Sequence, residues 1–182
     1  MATKSASCTP EELESLCRAG VGFLYEPSCD VNEVYDRVFV GGEEIARDLN
    51  KLADLGITHV LNCAEGPARM FRVDTNQAYY VDANIKYCGL PVSDEPRANL
   101  RQHFGTAVQF IDEGLAQQEA KVLIHCVVGF SRSATVAIAY LMIRRGMTAQ
   151  EATRAVRKNR DIGPNDGFLV QLCELNAELH PN

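Results

Sequence analysis

A cysteine and an arginine, Cys126 and Arg132, enclose the uncharged run Val127-Val128-Gly129-Phe130-Ser131. The run lies between the apolar stretch Lys121 to His125 and a second apolar stretch, Ser133 to Arg145. The first reads as a strand buried on both faces and the second as a helix. At such a strand-to-helix turn several backbone N–H groups converge, and the start of the helix adds partial positive charge, so the turn can hold an anion. Gly129 allows backbone angles that a side chain would penalise, letting the amides curl around a tetrahedral group. Arg132 offers a planar fork of donors to two phosphate oxygens at once.

The same field favours the thiolate of a cysteine at the mouth of the loop. Thiols at helix N-termini or beside cations titrate at roughly 3.5 to 7.5 instead of near 8.5. Cys126 is therefore a candidate nucleophile for in-line attack on phosphorus, with the amides and Arg132 stabilising the equatorial oxygens. Ser131 or Ser133 can hydrogen-bond the thiolate when the intermediate is hydrolysed. A leaving alkoxide or phenoxide needs a proton, and Val92-Ser93-Asp94-Glu95-Pro96 offers two candidate acids, Asp94 and Glu95. Residue type alone does not choose between them.

The remaining elements follow from local signals. Thr9-Pro10-Glu11-Glu12 and Thr148-Ala149-Gln150-Glu151 are capping boxes that open helices. Glu33 to Val40 reads as one strand ending at Gly41-Gly42, and Glu43 to Leu55 as one amphipathic helix stopped by Gly56. Thr58 to Cys63 and Ile85 to Leu90 read as strands separated by a polar excursion over Gly66 to Ala83. Helical stripes run from Phe104 to Leu115 and from near Asp166 to Leu179. Alternating strands and helices predict a single α/β domain with a central, mixed but mostly parallel sheet. Residues 1–30 form a lead-in with the first helix, and residues 31–180 form the core.

With 182 residues, 46% of them hydrophobic, the chain can bury one sizeable core. A formal charge of −6 with dispersed basic residues argues against nucleic-acid binding. No stretch approaches the roughly 20 apolar residues of a membrane span, and no secretion signal is present, so a cytoplasmic or nuclear location is expected. The seven cysteines form neither a CxxC pair nor a Cys/His cluster, so neither a disulfide framework nor a metal site is expected. Apart from Cys126 they read as small buried residues, with Cys88 or Cys173 as conceivable partners of an oxidised Cys126.

His125-Cys126 to Arg132-Ser133, Leu55-Gly56-Ile57-Thr58-His59-Val60-Leu61-Asn62, Ala139-Tyr140-Leu141-Met142 and Asn159-Arg160-Asp161-Ile162-Gly163-Pro164-Asn165-Asp166-Gly167-Phe168-Leu169 resemble the atypical dual-specificity protein phosphatases of the vaccinia H1-related group. The resemblance covers most of the chain and implies a protein tyrosine phosphatase-like fold. It implies Cys126 as nucleophile, Arg132 as phosphate clamp and Ser133 as the hydroxyl that assists thiolate release. His125 would hold the loop and favour ionisation. Asp94, 32 residues before the cysteine, falls where the family keeps its general acid. Arg160 would contact a second phosphate, and Asn165 would brace the loop. Residues 127–131 would surround the phosphate.

Val127-Val128 departs from the charged pair of the group's type member and makes the pocket more apolar. Phosphorylated proteins, mitogen-activated protein kinases among them, are the implied substrates, and no cofactor is required. Two other functions remain to be separated: a phosphoinositide or RNA-end phosphatase, and a pseudophosphatase that binds phosphoprotein without turnover. The first would recruit extra cations. The second commonly loses the cysteine or the arginine, and both are present.

Overall fold

The computed structural model describes residues 7–20, 26–67 and 71–181. Residues 1–6 and 21–25 of the expected lead-in, and 68–70 of the excursion, lie outside the described residues. Helix α1 (Pro10–Arg18) starts at its capping box, where Thr9 Oγ1 accepts the Glu12 N–H and the Glu12 carboxylate accepts the Thr9 N–H.

The chain from residue 31 to 55 differs from its sequence expectation in two places. The stretch expected as one strand is a hairpin of β1 (Val31–Tyr35) and β2 (Val38–Gly41). Arg37 makes the reversal at φ 60 although it is not a turn-favouring residue. Its guanidinium donates to the distant carbonyls of Leu115, Gln117 and Gln118, and its N–H to the nearby Glu33 carboxylate. Likewise, the expected single helix is broken into α2 (Glu43–Arg47) and α3 (Leu49–Leu55) at Asp48, whose carboxylate caps the second by accepting the Lys51 N–H. The apolar spacing persists through the break because Ile45 and Leu52 enter the same core.

Next come β3 (Ile57–Asn62), α4 (Gln77–Tyr80), β4 (Lys86–Gly89), α5 (Phe104–Leu115), β5 (Lys121–His125), α6 (Arg132–Arg145), α7 (Ala149–Arg157) and α8 (Asp166–Leu179). Helix α4 makes the polar excursion more structured than expected. Its Tyr80 is buried and donates to the Ala46 carbonyl at 2.8 Å.

The sheet runs β1-β2-β5-β3-β4, parallel throughout except for the β1/β2 hairpin. It is the mixed, mostly parallel sheet that the strand–helix alternation predicts. Central β5 is covered on both sides, which explains its unbroken apolar run. Val122 and Ile124 face the core beneath α5 and α6, whereas Leu123 faces Ile45, Leu52 and Tyr80. From Arg132 to Met142, α6 is buried on every side. Strand β5 therefore delivers Cys126 to the C-terminal edge of the sheet, and α6 points its N-terminus back at it. Among the described residues, no helix is long and apolar enough to cross a membrane.

Helix α7 begins at the second capping box, with Thr148 Oγ1 accepting from Glu151 N and the Glu151 carboxylate accepting from Thr148 N. Thr148→Ala should lower unfolding free energy by about 1 kcal/mol, the usual contribution of such a cap, measured as a shift of the urea midpoint at constant m-value.

Candidate active site

The loop after β5 is held by its carbonyls. Cys126 O accepts from His125 Nδ1 at 3.1 Å, and Val127 O from the Glu43 N–H at 2.8 Å. Arg160 donates to Val128 O and Gly129 O, and Gly163 N–H to Phe130 O. Ser131 O accepts from both the N–H and the hydroxyl of Thr135. Every carbonyl from Cys126 to Ser131 is thus tied outward. A trans peptide is planar, with its N–H opposite its C=O, so the amides of residues 127–132 turn inward. One of these amides, Gly129 N–H, already points at Cys126 Sγ at 3.3 Å. Gly129 takes φ +76, and a Cβ there would lie 2.4 Å from the Gly41 carbonyl. Only glycine fits.

Cys126 Sγ lies 3.3 Å from the Ser133 hydroxyl at the start of α6. Burial opposes its charged form, but the Arg132 guanidinium, the Ser133 hydroxyl and N–H, and the Gly129 N–H together outweigh it. The Cys126 pKa accordingly lies below that of an ordinary thiol. Of the two serines left open by residue type, Ser133 is the one beside the sulfur. His125 contributes differently from the expectation. Burial drives its pKa down to about 4, against the opposing hydrogen bond to Cys126, so its ring is neutral at neutral pH. It holds the loop through Nδ1–H and lends the thiolate no charge.

Arg132 is 2% exposed. Its Nη1 donates to the carbonyls of Phe71 and Val92 at 2.9 and 3.0 Å, which fixes the plane of the fork. Its Nε, 3.5 Å from Asp94 Oδ2, is buried without a hydrogen-bond partner among the described residues. An oxyanion in the pocket would supply one. Asp94 is the carboxylate held against the loop. Its Oδ1 accepts from Ser131 Oγ and Asn165 Nδ2, both at 2.8 Å. Asn165 also caps α8 by accepting the Phe168 N–H. Gly167, in the first turn of α8, meets Pro96 so closely that a Cβ would fall 1.8 Å from its carbonyl oxygen. Helix α8 therefore carries the Asp94 loop. Glu95 lines the same pocket of about 430 Å³.

Arg160 stands apart from its expected role. It is 3% exposed and lies behind the loop, where Nε and Nη2 hold the carbonyls of Gly129 and Val128 and Nη1 donates to Cys29 O and Asn32 Oδ1. It braces the phosphate loop, and it does not line the pocket that holds Cys126. Val127, Val128, Phe130 and Ser131 do line the pocket. Of the other thiols, Cys63 is fully buried and feels the charge of Cys126, whereas Cys173 interacts with Cys8.

The anchors supplied by Phe71, Val92, Asn32 and Glu43 were not legible in the sequence. Three of the four act through backbone atoms, which every residue type possesses. Gly41-Gly42 before Glu43 carried the only local signal.

A thiol of lowered pKa above inward amides, with a buried arginine at the start of the following helix, defines a cysteine-dependent protein phosphatase built on a protein tyrosine phosphatase-like fold. The family model described as "Dual specificity phosphatase, catalytic domain" matches residues 38–178, and the chain belongs to that family. The human tyrosine phosphatase-like serine/threonine/tyrosine-interacting protein is similar in structure, with 32% identity over 81% of this chain and 96% of that one, at a TM-score of 0.69. The Yvh1 phosphatase domain of Chaetomium thermophilum shares 30% over 79% and 94%, at 0.65. Human DUSP28 shares 25% over 86% and 99%, at 0.70.

Two outcomes follow from this geometry. Alkylation of Cys126 by iodoacetamide should rise with pH and level off below the ordinary thiol value of about 8.5, and Ser133→Ala should move that midpoint upward. Arg160→Ala should lower thermal stability and reduce turnover of singly and doubly phosphorylated peptides alike. Loss confined to the doubly phosphorylated peptide would place this side chain in the pocket after all.

Proposed function

We propose that the chain hydrolyses phosphotyrosine and phosphothreonine or phosphoserine esters in proteins through a cysteinyl-phosphate on Cys126. The observation that carries this proposal is the ring of outward-tied carbonyls, which aims the loop amides at the position a phosphoryl group would occupy beside the sulfur. The thiolate attacks phosphorus while Arg132 and the amides hold the equatorial oxygens. Protonated Asp94 gives its proton to the departing phenoxide or alkoxide. Water then attacks the phosphocysteine, Asp94 takes its proton, and the S–P bond breaks. Ser133, beside the sulfur, stabilises the released thiolate.

Protein substrates are favoured over phosphoinositides by the charge around the pocket. Glu26, Asp94 and Glu95 line it alongside Arg72 and Arg132, so the cations do not outnumber the carboxylates. A polyanionic headgroup would meet repulsion at the rim. Mitogen-activated protein kinases remain candidate substrates through the family resemblance, in a cytoplasmic and nuclear setting, although Arg160 no longer offers a reason to expect a preference for double phosphorylation. The pseudophosphatase reading is disfavoured because Cys126 and Arg132 are both present and adjacent to the same pocket.

Cys126→Ser should bind phosphopeptide without cleaving it, and cleavage at the wild-type rate by this variant would refute the covalent route. Asp94→Asn should slow turnover by about 10² to 10⁴-fold for substrates with poor leaving groups and far less for activated aryl phosphates. A side-by-side assay on phosphopeptides and phosphoinositides tests the substrate class, and a strong lipid preference would reverse the assignment.

A further inference from the structure

A general acid works only within hydrogen-bond reach of the atom it protonates, yet the chain around Asp94 has no regular structure. Residues 91–99 form neither helix nor strand, so no ladder of backbone bonds fixes them. Side chains from elsewhere hold them instead, at three consecutive residues. Arg132 Nη1 donates to the Val92 carbonyl at 3.0 Å, and Ser131 and Asn165 donate to the Asp94 carboxylate. Between these, Arg72 Nη2 donates to the Ser93 hydroxyl at 2.8 Å. The anchors on either side come from the phosphate loop, α6 and α8, whereas Arg72 comes from the excursion after β3.

The base of Arg72 is firmly seated. The next residue, Val73, is buried, its N–H donates to the Ala64 carbonyl at 2.8 Å, and its own carbonyl accepts from the Gly66 N–H. The Arg72 side chain lies along Gly66, where a Cβ would meet Arg72 Cδ at 3.2 Å. Nη1 then donates to the Glu65 carbonyl at 3.1 Å while Nη2 reaches Ser93. Because the guanidinium is planar and rigid, the bond to Glu65 also sets the direction of the bond to Ser93. Arg132 joins the same two segments through the carbonyls of Phe71 and Val92. Two guanidiniums thus stitch residues 71–72 to residues 92–93, and the bond from Arg72 lands on the residue next to Asp94.

We propose that Arg72 is a positioning residue for the acid step, holding Ser93 so that the Asp94 carboxyl stays over the Cys126 loop. The inference rests on the phosphatase reading above and assigns what sets its acid in place. Ser131 and Asn165 both donate to the same oxygen, Oδ1, and a carboxylate hydrogen-bonded at one oxygen can still pivot with its backbone. The Arg72 bond removes that freedom from the adjacent residue. Arg72 itself moves no proton, because a guanidinium stays charged throughout. Its loss is therefore felt where protonation of the leaving group limits the rate, and far less where the leaving group departs unaided.

The test is kcat/KM on phosphate esters of graded leaving-group pKa, for Arg72→Met, Ser93→Ala and the double variant, with Asp94→Asn alongside. Arg72→Met should slow esters with poor leaving groups about 10-fold, the factor carried by one hydrogen bond to a charged group, and should slow activated esters far less. Ser93→Ala should show the same pattern, and Ser93→Thr, which keeps the hydroxyl, should restore the rate. The double variant should be no slower than the slower single one, because both substitutions remove the same bond. Equal slowing of good and poor leaving groups, or full additivity of the two substitutions, would overturn the proposal. So would an Arg72→Met protein that cleaves poor leaving groups at the wild-type rate while Asp94→Asn is slow. If Asp94→Asn also keeps the wild-type rate, the acid assignment itself falls, and the role of Arg72 with it.

Discussion

Peptide planarity is the constraint on which the site depends. The carbonyls of the loop after β5 are each held by a group outside it: the His125 ring, the amide that opens α2, the Arg160 guanidinium, the amide of Gly163 and Thr135 in the first turn of α6. With those oxygens fixed outward, the amides have no freedom but to face inward. The positive lining of the pocket is therefore made of backbone, which cannot be titrated away and needs no reorganisation when an anion arrives. The sulfur of Cys126 sits in that field and is easier to ionise than a free thiol despite its burial.

The same logic explains why so much of the fold is devoted to the back of the loop. Arg160 is a long buried cation whose donors are taken up by loop carbonyls, Cys29 O and Asn32 Oδ1. Such a residue in a pocket would be read as a ligand contact, but here the carbonyls it neutralises are those of the loop wall. A buried charge without partners would be costly, so its bonds are also the condition of its burial. His125 follows suit: a neutral ring at the end of β5 that acts by hydrogen bonding and not by charge.

A second link joins the two halves of the chemistry. Asn165 caps α8 with its carbonyl oxygen and holds Asp94 with its amide, while Ser131 binds the same carboxylate oxygen from within the loop. The candidate acid is thus positioned by the phosphate loop and by the last helix together. Close contact of Gly167 with Pro96 leaves little room for the Asp94 loop to shift against α8. Residues far apart in the chain meet at a single carboxylate, and any displacement of α8 is transmitted to it.

Local signals in the sequence were strong wherever a residue type has one physical use. Capping boxes, the apolar run of β5, Gly56 at a left-handed cap and the Cys126–Arg132 loop all announce themselves because their chemistry is short-range. Family resemblance pointed to Asp94 over Glu95 as the candidate acid, a choice that residue type could not make. Where long-range contacts override propensity, the sequence was silent. Arg37 turns a strand into a hairpin by binding carbonyls at and just beyond the C-terminal end of α5, whereas the break at Asp48, capped locally through the Lys51 N–H, was hidden by an apolar spacing that continues through it. The role of Arg160 and the placement of Phe71 were decided only by tertiary structure. A guanidinium facing backbone carbonyls and one facing phosphate have the same sequence, and a main-chain oxygen that anchors Arg132 can belong to any residue.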